Sequence, residues 1–334
     1  MKNLIKNLKI KALAIVAITI LISCSKSADD QPQPSGPQAG SVKDVYIAGY
    51  AVNSSSGKTM ATYWKNGVAI NLTDGTNTAE LSDIEVIDND VYACGYESNG
   101  TIDIPKYWKN GTAIALGTLN GKAKCMTSSG DDIFIGGKKG NYAVYWVSGV
   151  TEPVILGTSS DCFVTDIKVI GNDIYCGGGK SDRAGFWKND DNFISISNNS
   201  SGITAFQFVG AIKYASGGND GSVGYWKNTT FKNAPSANDA FVSGISVNKS
   251  VIYTCGHENN GTLPIAKYWK NAEATVLSTK YSAAFDLIFA NNDVYTCGVE
   301  QNASVLNAVY WKNGTVTQLS TVNSVAVKIF LTYN

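Results

Sequence analysis

Residues 89–111 read NDVYACGYESNGTIDIPKYWKNG, and variants of this stretch recur from about residue 42 to the end of the chain. It combines two motifs, Asn-Asp-Val-Tyr-Ala-Cys-Gly at 89–95 and Tyr-Trp-Lys-Asn-Gly at 107–111. All seven tryptophans lie in the second motif, each directly after an aromatic residue and 38 to 44 residues from the next tryptophan. The pairs are Tyr63-Trp64, Tyr107-Trp108, Tyr145-Trp146, Phe186-Trp187, Tyr225-Trp226, Tyr268-Trp269 and Tyr310-Trp311. Self-similarity at this period indicates a repeat protein.

Four short strands fit into each unit, and we name them a to d. Strand a is an alternating apolar segment such as 84–86, strand b contains Val91-Tyr92, strand c contains the aromatic-Trp pair, and strand d follows it. The Asn-Asp pair is predicted to form the a–b turn. Asn-Gly after Trp-Lys is predicted to form a type I′ turn between c and d, which needs positive φ at both central residues. Four strands in about 40 residues, repeated seven times, predict an all-β protein, a seven-bladed β-propeller with four antiparallel strands per blade.

The two ends of the repeat region complete each other. The first unit begins at strand b, Val45–Gly49, with no strand a before it, whereas the chain ends in Val325–Leu331, which has the pattern of a strand a with no b after it. We therefore expect the C-terminal strand to join the first blade and close the ring, which removes exposed strand edges.

The recurring large and small residues are predicted to be structural. The two rings of each aromatic-Trp pair alternate across strand c, so one ring should pack on each neighbouring blade. An aromatic ladder for sugars is the alternative, and the mid-strand position of every pair favours packing. Cys94, Cys255 and Cys297 share one position in strand b, with Cys176 one residue earlier. We expect small buried fillers with free thiols, since equivalent sites in adjacent blades are too far apart for a disulfide. For Cys125 and Cys162, near successive a strands, a bridge is conceivable but not indicated.

Strand a should line the central channel, where Asp83, Asp166 and Asp286 share one column with Lys328 of the closing strand. Such carboxylates could form a cation site or an acid–base pair. The alternative, which we favour, is that they accept hydrogen bonds from backbone groups.

Binding is expected on the face that carries the b–c and d–a connections, because these vary among the units while the a–b and c–d turns are short and alike. Function concentrates in loops held on a rigid scaffold. The candidate ligand-binding residues around the channel mouth on this face are Tyr50, Tyr96, Glu97, Lys138, Lys180, Arg183, His257, Glu258 and Glu300.

Composition and motifs narrow the function. With 27 basic and 27 acidic residues the net charge is zero, which argues against a nucleic-acid partner. The chain has one histidine, His257, and no Cys-x-x-Cys, nucleophile elbow, phosphate loop or dinucleotide fingerprint. We predict no catalytic residues, no metal and no cofactor, and hence a monomeric module that binds a glycan, a peptide or a protein. The alternatives are a hydrolase or lyase acting on polysaccharide, and a structural component of the cell surface.

The N-terminus is predicted to be a targeting segment. Four lysines precede an apolar run at 12–22, which is typical of a signal peptide over residues 1–23. Leu21-Ile22-Ser23-Cys24 resembles the lipobox of bacterial lipoproteins, which implies cleavage before Cys24, its lipidation and a membrane anchor. A plain signal peptide with a chance cysteine is the alternative. Residues 24–41, rich in Pro, Gln, Ser and Gly, are predicted to be a flexible tether to the propeller at 42–334.

Two further resemblances concern the source and the repeat. Asp29-Asp30 resembles the export signal of some Bacteroidetes lipoproteins, although an ordinary linker would look the same; the anchor implies the outer membrane, on its cell-surface or periplasmic side. The Tyr-Trp-Lys-Asn-Gly repeats resemble propeller lipoproteins of Bacteroidetes and, more loosely, WD40 blades, in which Trp also closes strand c. The WD dipeptide is absent, so the resemblance implies an architecture and no partner.

Overall fold

The described residues, 40–190, 192–235 and 239–334 of a computed structural model, form 28 β-strands in seven four-stranded sheets. Each sheet is one blade, with its strands in the order a, b, c, d. Blade 1 consists of β28 (Ser324–Tyr333), β1 (Val42–Val52), β2 (Thr59–Lys65) and β3 (Val68–Asn71). Blade 2 consists of β4 (Ala79–Ile87), β5 (Asp90–Ser98), β6 (Asp103–Lys109) and β7 (Thr112–Ala115). Blade 3 consists of β8 (Gly121–Ser129), β9 (Asp132–Lys139), β10 (Tyr142–Val147) and β11 (Val154–Gly157).

The other four blades follow in chain order. Blade 4 consists of β12 (Phe163–Ile170), β13 (Asp173–Lys180), β14 (Arg183–Lys188) and β15 (Ile194–Ser195). Blade 5 consists of β16 (Ser201–Val209), β17 (Ile212–Asn219), β18 (Ser222–Lys227) and β19 (Thr230–Asn233). Blade 6 consists of β20 (Ala240–Asn248), β21 (Val251–Asn259), β22 (Pro264–Lys270) and β23 (Glu273–Val276). Blade 7 consists of β24 (Ser282–Ala290), β25 (Asp293–Asn302), β26 (Val305–Lys312) and β27 (Thr315–Gln318).

The predicted seven-bladed propeller and its closure are confirmed. Strand β28 pairs antiparallel with β1, from Val42 opposite Tyr333 to Ala51 opposite Ser324. The chain's last strand is therefore the inner strand of the first blade. Because β1 and β28 pair with each other, neither strand has an unpaired edge where the two ends of the repeat region meet.

The two kinds of turn differ in how well they were predicted. At the c–d turn of blade 2, Asn110 and Gly111 have φ of 48° and 84°, as a type I′ turn requires. The predicted a–b turn was wrong by one residue. Its central residues are Asp88 and Asn89, with φ of 49° and 74°, while Asp90 is already the first residue of β5.

The two sequence motifs recur together because their side chains bond each other. The Asn110 carboxamide accepts a hydrogen bond from the Val91 N–H at 2.9 Å and donates one to Asp90 at 2.8 Å. Lys109 forms an ion pair with the same Asp90 carboxylate at 3.0 Å. Blades 1, 4 and 7 repeat the ion pair as Lys65–Asp44, Lys188–Asp173 and Lys312–Asp293. Each c–d turn is thus held to the start of strand b.

The aromatic pairs pack between blades as predicted. Trp108 lies in a core cluster with Tyr46, Ala48 and Ala61 of blade 1, whereas Tyr107 lies in the cluster formed with Met126 and other residues of blade 3. All seven tryptophans are fully buried. One ring of each pair therefore packs against the preceding blade and the other against the following blade, and burial of large aromatic rings is a major stabilising contribution.

Every inner strand contains a β-bulge beside a glycine of strand b. In blade 2 the register shifts between Leu81 and Asp83, which leaves Ser82 as the additional residue. Directly beside it, a Cβ on Gly95 would lie 2.0 Å from the carbonyl oxygen of Glu80, so only glycine fits. The same approach to a strand-a carbonyl occurs in the other six blades, at Gly49, Gly137, Gly178, Gly217, Gly256 and Gly298.

The cysteines of the described residues are buried and free, as predicted. Cys125 and Cys162 do not form a disulfide. Cys94, Cys255 and Cys297 lie directly opposite the channel column, and Cys176 lies one position earlier, opposite Ile167. Burial raises the pKa of these four thiols and of Cys125, which disfavours the reactive thiolate.

The predicted signal segment 1–23, Cys24 and all but the last two residues of the tether 24–41 lie outside the described residues. Within the part that the structure describes, no helix is long and apolar enough to cross a membrane.

Because the ring is closed, the blade that contains both chain ends should be as stable as the others. We expect the backbone amides of β1 and β28 to exchange with solvent as slowly as those of β16 and β17 in blade 5, since the pairing of β1 with β28 makes the first blade as complete as the fifth. Native-state hydrogen exchange followed by mass spectrometry measures this. Faster exchange in β1 and β28, decreasing towards blade 5, would show an array that frays from its ends.

Candidate functional site

The face formed by the b–c and d–a connections is here called the loop face. At the channel mouth of this face, each blade contributes one variable pair of residues. The pair consists of the residue directly after the strand-b glycine and the strand-a residue that lies opposite it. We call these fourteen residues the mouth ring. From blade 1 to blade 7 the pairs are Tyr50/Val325, Tyr96/Glu80, Lys138/Lys122, Gly179/Phe163, Gly218/Gly202, His257/Phe241 and Val299/Ala283.

Blades 1 to 3 bring polar groups of the mouth ring together. Burial raises the pKa of Tyr96, and the nearby Glu80 carboxylate raises it further; Glu80 also acts on Tyr50, whose pKa is raised mainly by burial. The Lys122 ammonium lies 3.6 Å from the centre of the Tyr96 ring and 3.0 Å from Asp103. Two of the predicted site residues, Tyr50 and Tyr96, therefore meet around one carboxylate that the sequence analysis did not select.

Blades 4 to 6 give the mouth ring an aromatic and glycine-rich half. Phe163 and Phe241 are 40% and 46% exposed, and no other phenylalanine of the described residues is exposed to this degree. The Phe163 ring lies over Gly179 and reaches towards Gly202 of blade 5. His257 stacks on Phe241 with ring centres 5.8 Å apart, and burial lowers the pKa of His257, which favours its neutral form.

The three predicted glutamates lie outside the mouth ring, and each is paired with a lysine. Glu97 pairs with Lys106 at 2.5 Å, Glu258 with Lys267 at 2.5 Å, and Glu300 with Lys280 at 2.9 Å. Glu258 and Glu300 are only 6% and 5% exposed. Because residues alternate across a strand, these glutamates point away from the preceding residue of the mouth ring. Tyr96 is equally buried, at 5% exposed, so for Tyr96, Glu258 and Glu300 direct contact with a ligand stays a prediction.

The remaining predicted residues are Lys138, which belongs to the mouth ring, and Lys180 and Arg183, which lie outside it. The Lys138 ammonium donates to the carbonyl of Ser160 at 3.2 Å, in the connection between blades 3 and 4. Lys180 and the exposed Arg183 face each other at the end of the β13–β14 hairpin. They lie near the aromatic half but outside the mouth ring.

The bulge explains which residues were missed. Glu80, Lys122, Phe163 and Phe241 each lie three residues before the channel position of their strand, yet they share a face with it because the bulge shifts the register by one. A regular strand puts residues an even number apart on one face. The glycine of strand b, which marks the bulge in every unit, is the signal that could have located them.

In the channel, the three aspartates bond the backbone of the following blade, as we favoured. Asp83 accepts from the N–H of Ile84 and of Met126, both at 2.8 Å, and the second bond joins blades 2 and 3. Asp166 joins blades 4 and 5 through the Phe206 N–H at 2.9 Å, and Asp286 joins blades 7 and 1 through the Ile329 N–H at 3.2 Å. The carboxylates therefore connect neighbouring blades.

Lys124 and Lys328 line a channel cavity of about 110 Å³ together with the three aspartates. Lys168 lies 2.8 Å from Asp166, and Lys328 lies 3.4 Å from Asp286. Burial opposes the charge of Lys328, but the surrounding aspartates outweigh it and hold its pKa above the usual value. Among the described residues, no group of three or more His, Cys, Asp or Glu side chains could hold a metal ion.

Two channel carboxyls titrate near neutrality. Burial raises the pKa of Asp83 to about 6 and that of Glu85 to about 7, with the neighbouring Asp83 charge as the second cause for Glu85. Glu85 accepts one hydrogen bond from the Ser128 hydroxyl at 3.1 Å, and its other oxygen is buried without a partner. An ionised Glu85 is therefore poorly compensated.

Replacement of this carboxyl should remove part of the pH dependence of stability. The folded-state pKa of Glu85 lies above the ordinary value of 4.5. The folded chain thus binds the proton more tightly, and the wild type loses stability as pH rises from about 5 to 8. Glu85→Gln, which resembles the protonated form, should match the wild type near pH 5 and exceed its unfolding free energy by roughly 1–2 kcal/mol near pH 8. Urea unfolding across this range measures it.

The exposed Glu273→Gln is the matched control, and its difference from the wild type should not change with pH. Parallel pH profiles for wild type and Glu85→Gln would contradict the assignment of this titration to Glu85.

Comparison with known proteins supports the fold alone. No protein-family model and no curated protein matches the chain. A puromycin-hydrolysing peptidase of Mycobacterium tuberculosis is similar in structure, with a TM-score of 0.56, 10% identity, and coverage of 86% of this chain and 55% of the peptidase. The chain thus spans about half the length of that protein. At this identity the likeness places the chain among β-propellers and does not extend to an activity.

Two further solved structures align less closely. They are TolB of Acinetobacter baumannii (TM-score 0.49, 9% identity, 88% of this chain and 68% of TolB) and the extracellular domain of a one-component system of B. thetaiotaomicron (TM-score 0.45, 11% identity, 80% and 39%).

Proposed function

We propose that this propeller is a binding module whose mouth ring contacts the ligand. The observation that carries the proposal is that the residues of the mouth ring differ from blade to blade. The glycines, aromatic pairs and turns recur in nearly every blade, whereas the mouth ring holds tyrosine, charged, aromatic and glycine residues in different blades. The residues that recur in every blade are explained by packing. Residues that vary on a rigid scaffold are typical of a recognition surface.

The mouth ring suits a ligand with both polar and apolar parts. Tyr50, Glu80 and Lys122 offer hydrogen-bond donors and acceptors from blades 1 to 3, and Tyr96, only 5% exposed, lies between Glu80 and Lys122. Across the channel, the exposed ring of Phe163 and the pair Phe241 and His257 offer flat apolar contacts beside glycines. A peptide segment or a glycan has both kinds of group, whereas a highly charged polymer has no matching charge on this neutral protein.

The state of the titratable groups favours binding over catalysis. A phenol is protonated at neutral pH even at its ordinary pKa of about 10. Burial raises the pKa values of Tyr50 and Tyr96 further, so both act as hydrogen-bonding groups. The predicted glutamates of the loop face, Glu97, Glu258 and Glu300, are each paired with a lysine, whereas the Glu80 carboxylate lies beside the Tyr96 hydroxyl. A general acid or base would need a carboxyl free to exchange its proton with substrate.

Membrane tethering is part of the proposal and rests on the sequence. The residues around Cys24 and the linker after them fit a lipid-anchored domain held away from the membrane surface. In a bacterial host, the full chain should fractionate with membranes, and Cys24→Ala should release it to the aqueous fraction. Equal fractionation of both chains would remove the anchor from the proposal.

The mature protein, screened against a glycan array and against peptide and secreted-protein libraries, should yield a ligand whose affinity depends on the mouth ring. Tyr50→Phe with Tyr96→Phe keeps both rings and removes two hydroxyls, and we expect it to weaken binding about tenfold. The matched control is Tyr46→Phe with Tyr92→Phe, which removes two hydroxyls near the opposite face.

Calorimetry with the ligand found in the screen gives the comparison. Equal affinities for both double variants and the wild type, together with no effect of Phe241→Ala, would overturn the proposed face.

A further inference from the structure

One of the seven tryptophans departs from the common pattern. In six blades the indole N–H is buried and has no hydrogen-bond partner, at Trp64, Trp108, Trp146, Trp187, Trp269 and Trp311. Trp226 of blade 5 is only 1% exposed and packs in one cluster with Ala184, Phe186 and Ile196 of blade 4. Its N–H is nevertheless not enclosed like the others, and its ring lines a cavity of about 400 Å³ between blades 4 and 5.

The cavity has a local structural cause. The outer strand of blade 4, β15, has two residues, whereas the outer strand of each of the other six blades has four. Only Gly185 and Phe186 of β14 find partners in β15. The cavity lies beside this short strand, and Ser195 of β15 is one of its lining residues.

The walls of the cavity carry many polar groups and no charge. Blade 4 and the connection after it contribute Ser195, Ile196, Ser197, Asn198 and Asn199, and blade 5 contributes Asn219, Trp226, Thr229 and Phe231. Six hydroxyl or amide side chains line the cavity, and the hydroxyls of Ser195 and Ser197 already donate within the protein. The other four and the indole N–H can donate to a ligand, and all six can also accept. Asn219 is held in place because its carbonyl oxygen accepts from the Ser197 hydroxyl at 2.7 Å, which leaves its amide N–H groups for a ligand.

We infer that this cavity binds a neutral saccharide, and that the Trp226 N–H donates to one of its hydroxyls. A sugar hydroxyl both donates and accepts, which matches walls of amides and hydroxyls. A phosphate or carboxylate would find no cation among the residues that line the cavity. The volume lies within the usual range for small-ligand pockets, about 300–1,000 Å³.

The aromatic rings set the mode of contact. Phe231 packs on Trp226 with ring centres 4.6 Å apart, and blade 4 covers the indole from its other side. The indole is therefore a hydrogen-bond donor at the cavity wall rather than a stacking platform, while the half-buried Phe231 supplies an apolar edge for sugar C–H groups. The site is separate from the mouth ring and does not depend on the proposed function.

The seven indole N–H groups allow a direct test by ¹H–¹⁵N NMR on the full mature protein. Titration with glucose, galactose, mannose and N-acetylglucosamine, and with short β-1,4-linked oligomers of glucose and N-acetylglucosamine, should shift one indole signal in a saturable manner. Trp226→Phe identifies that signal by its loss and should weaken sugar binding at least about tenfold. Without sugar, the same signal should exchange with D₂O faster than the other six.

Trp187→Phe is the matched control, because it makes the same change in a blade whose indole N–H is enclosed, and it should retain sugar binding. Asn219→Ala provides a second test that leaves the aromatic core intact, and it should also weaken binding. Tyr50→Phe with Tyr96→Phe should leave the indole shift unchanged, so failure of the mouth ring and failure of this site are distinguishable. No indole shift with any of these sugars up to about 10 mM, or equal binding by Trp226→Phe and Trp187→Phe, would overturn the inference.

Discussion

The close contact between strand a and a glycine of strand b, beside the bulge of the inner strand, is the constraint on which the rest of the structure depends. At Gly95 the opposing carbonyl of Glu80 leaves no room for a Cβ, and the same holds in every blade. The bulge reverses the alternation of strand a, so Asp83 can reach the backbone of the next blade while Glu80 still faces the loop side. One local irregularity, repeated seven times, thus arranges both the channel and the mouth ring.

The candidate binding sites lie where the blades differ in sequence. A residue that recurs in every blade is explained by closure and packing, as Trp108 and Asn110 are by their contacts with the neighbouring blade and the adjacent strand. The mouth ring and the cavity beside Trp226 are two places where chemistry differs between blades. Both carry hydrogen-bonding groups, and both are therefore proposed as ligand sites.

The sequence was sufficient for the parts of the fold that repeat. Turn residues, the period of the Trp motif and the split unit at the two ends predicted seven four-stranded blades and their closure. It was insufficient where one residue changes the register, because a bulge such as that at Ser82 moves Glu80 to a face that simple alternation would not give it. Ion pairs such as Glu300 with Lys280 were also missed, since the lysine comes from a connection whose path depends on the assembled ring.

The most direct test of this account is the effect of one methyl group at the contact beside the bulge. In Gly95→Ala the new Cβ would meet the Glu80 carbonyl, whereas in Gly117→Ala it would meet nothing within 4 Å. Urea unfolding should show a loss of about 3 kcal/mol, or failure to fold, for Gly95→Ala and almost no change for Gly117→Ala. Equal stability of the two variants would contradict the claim that this contact shapes the blades.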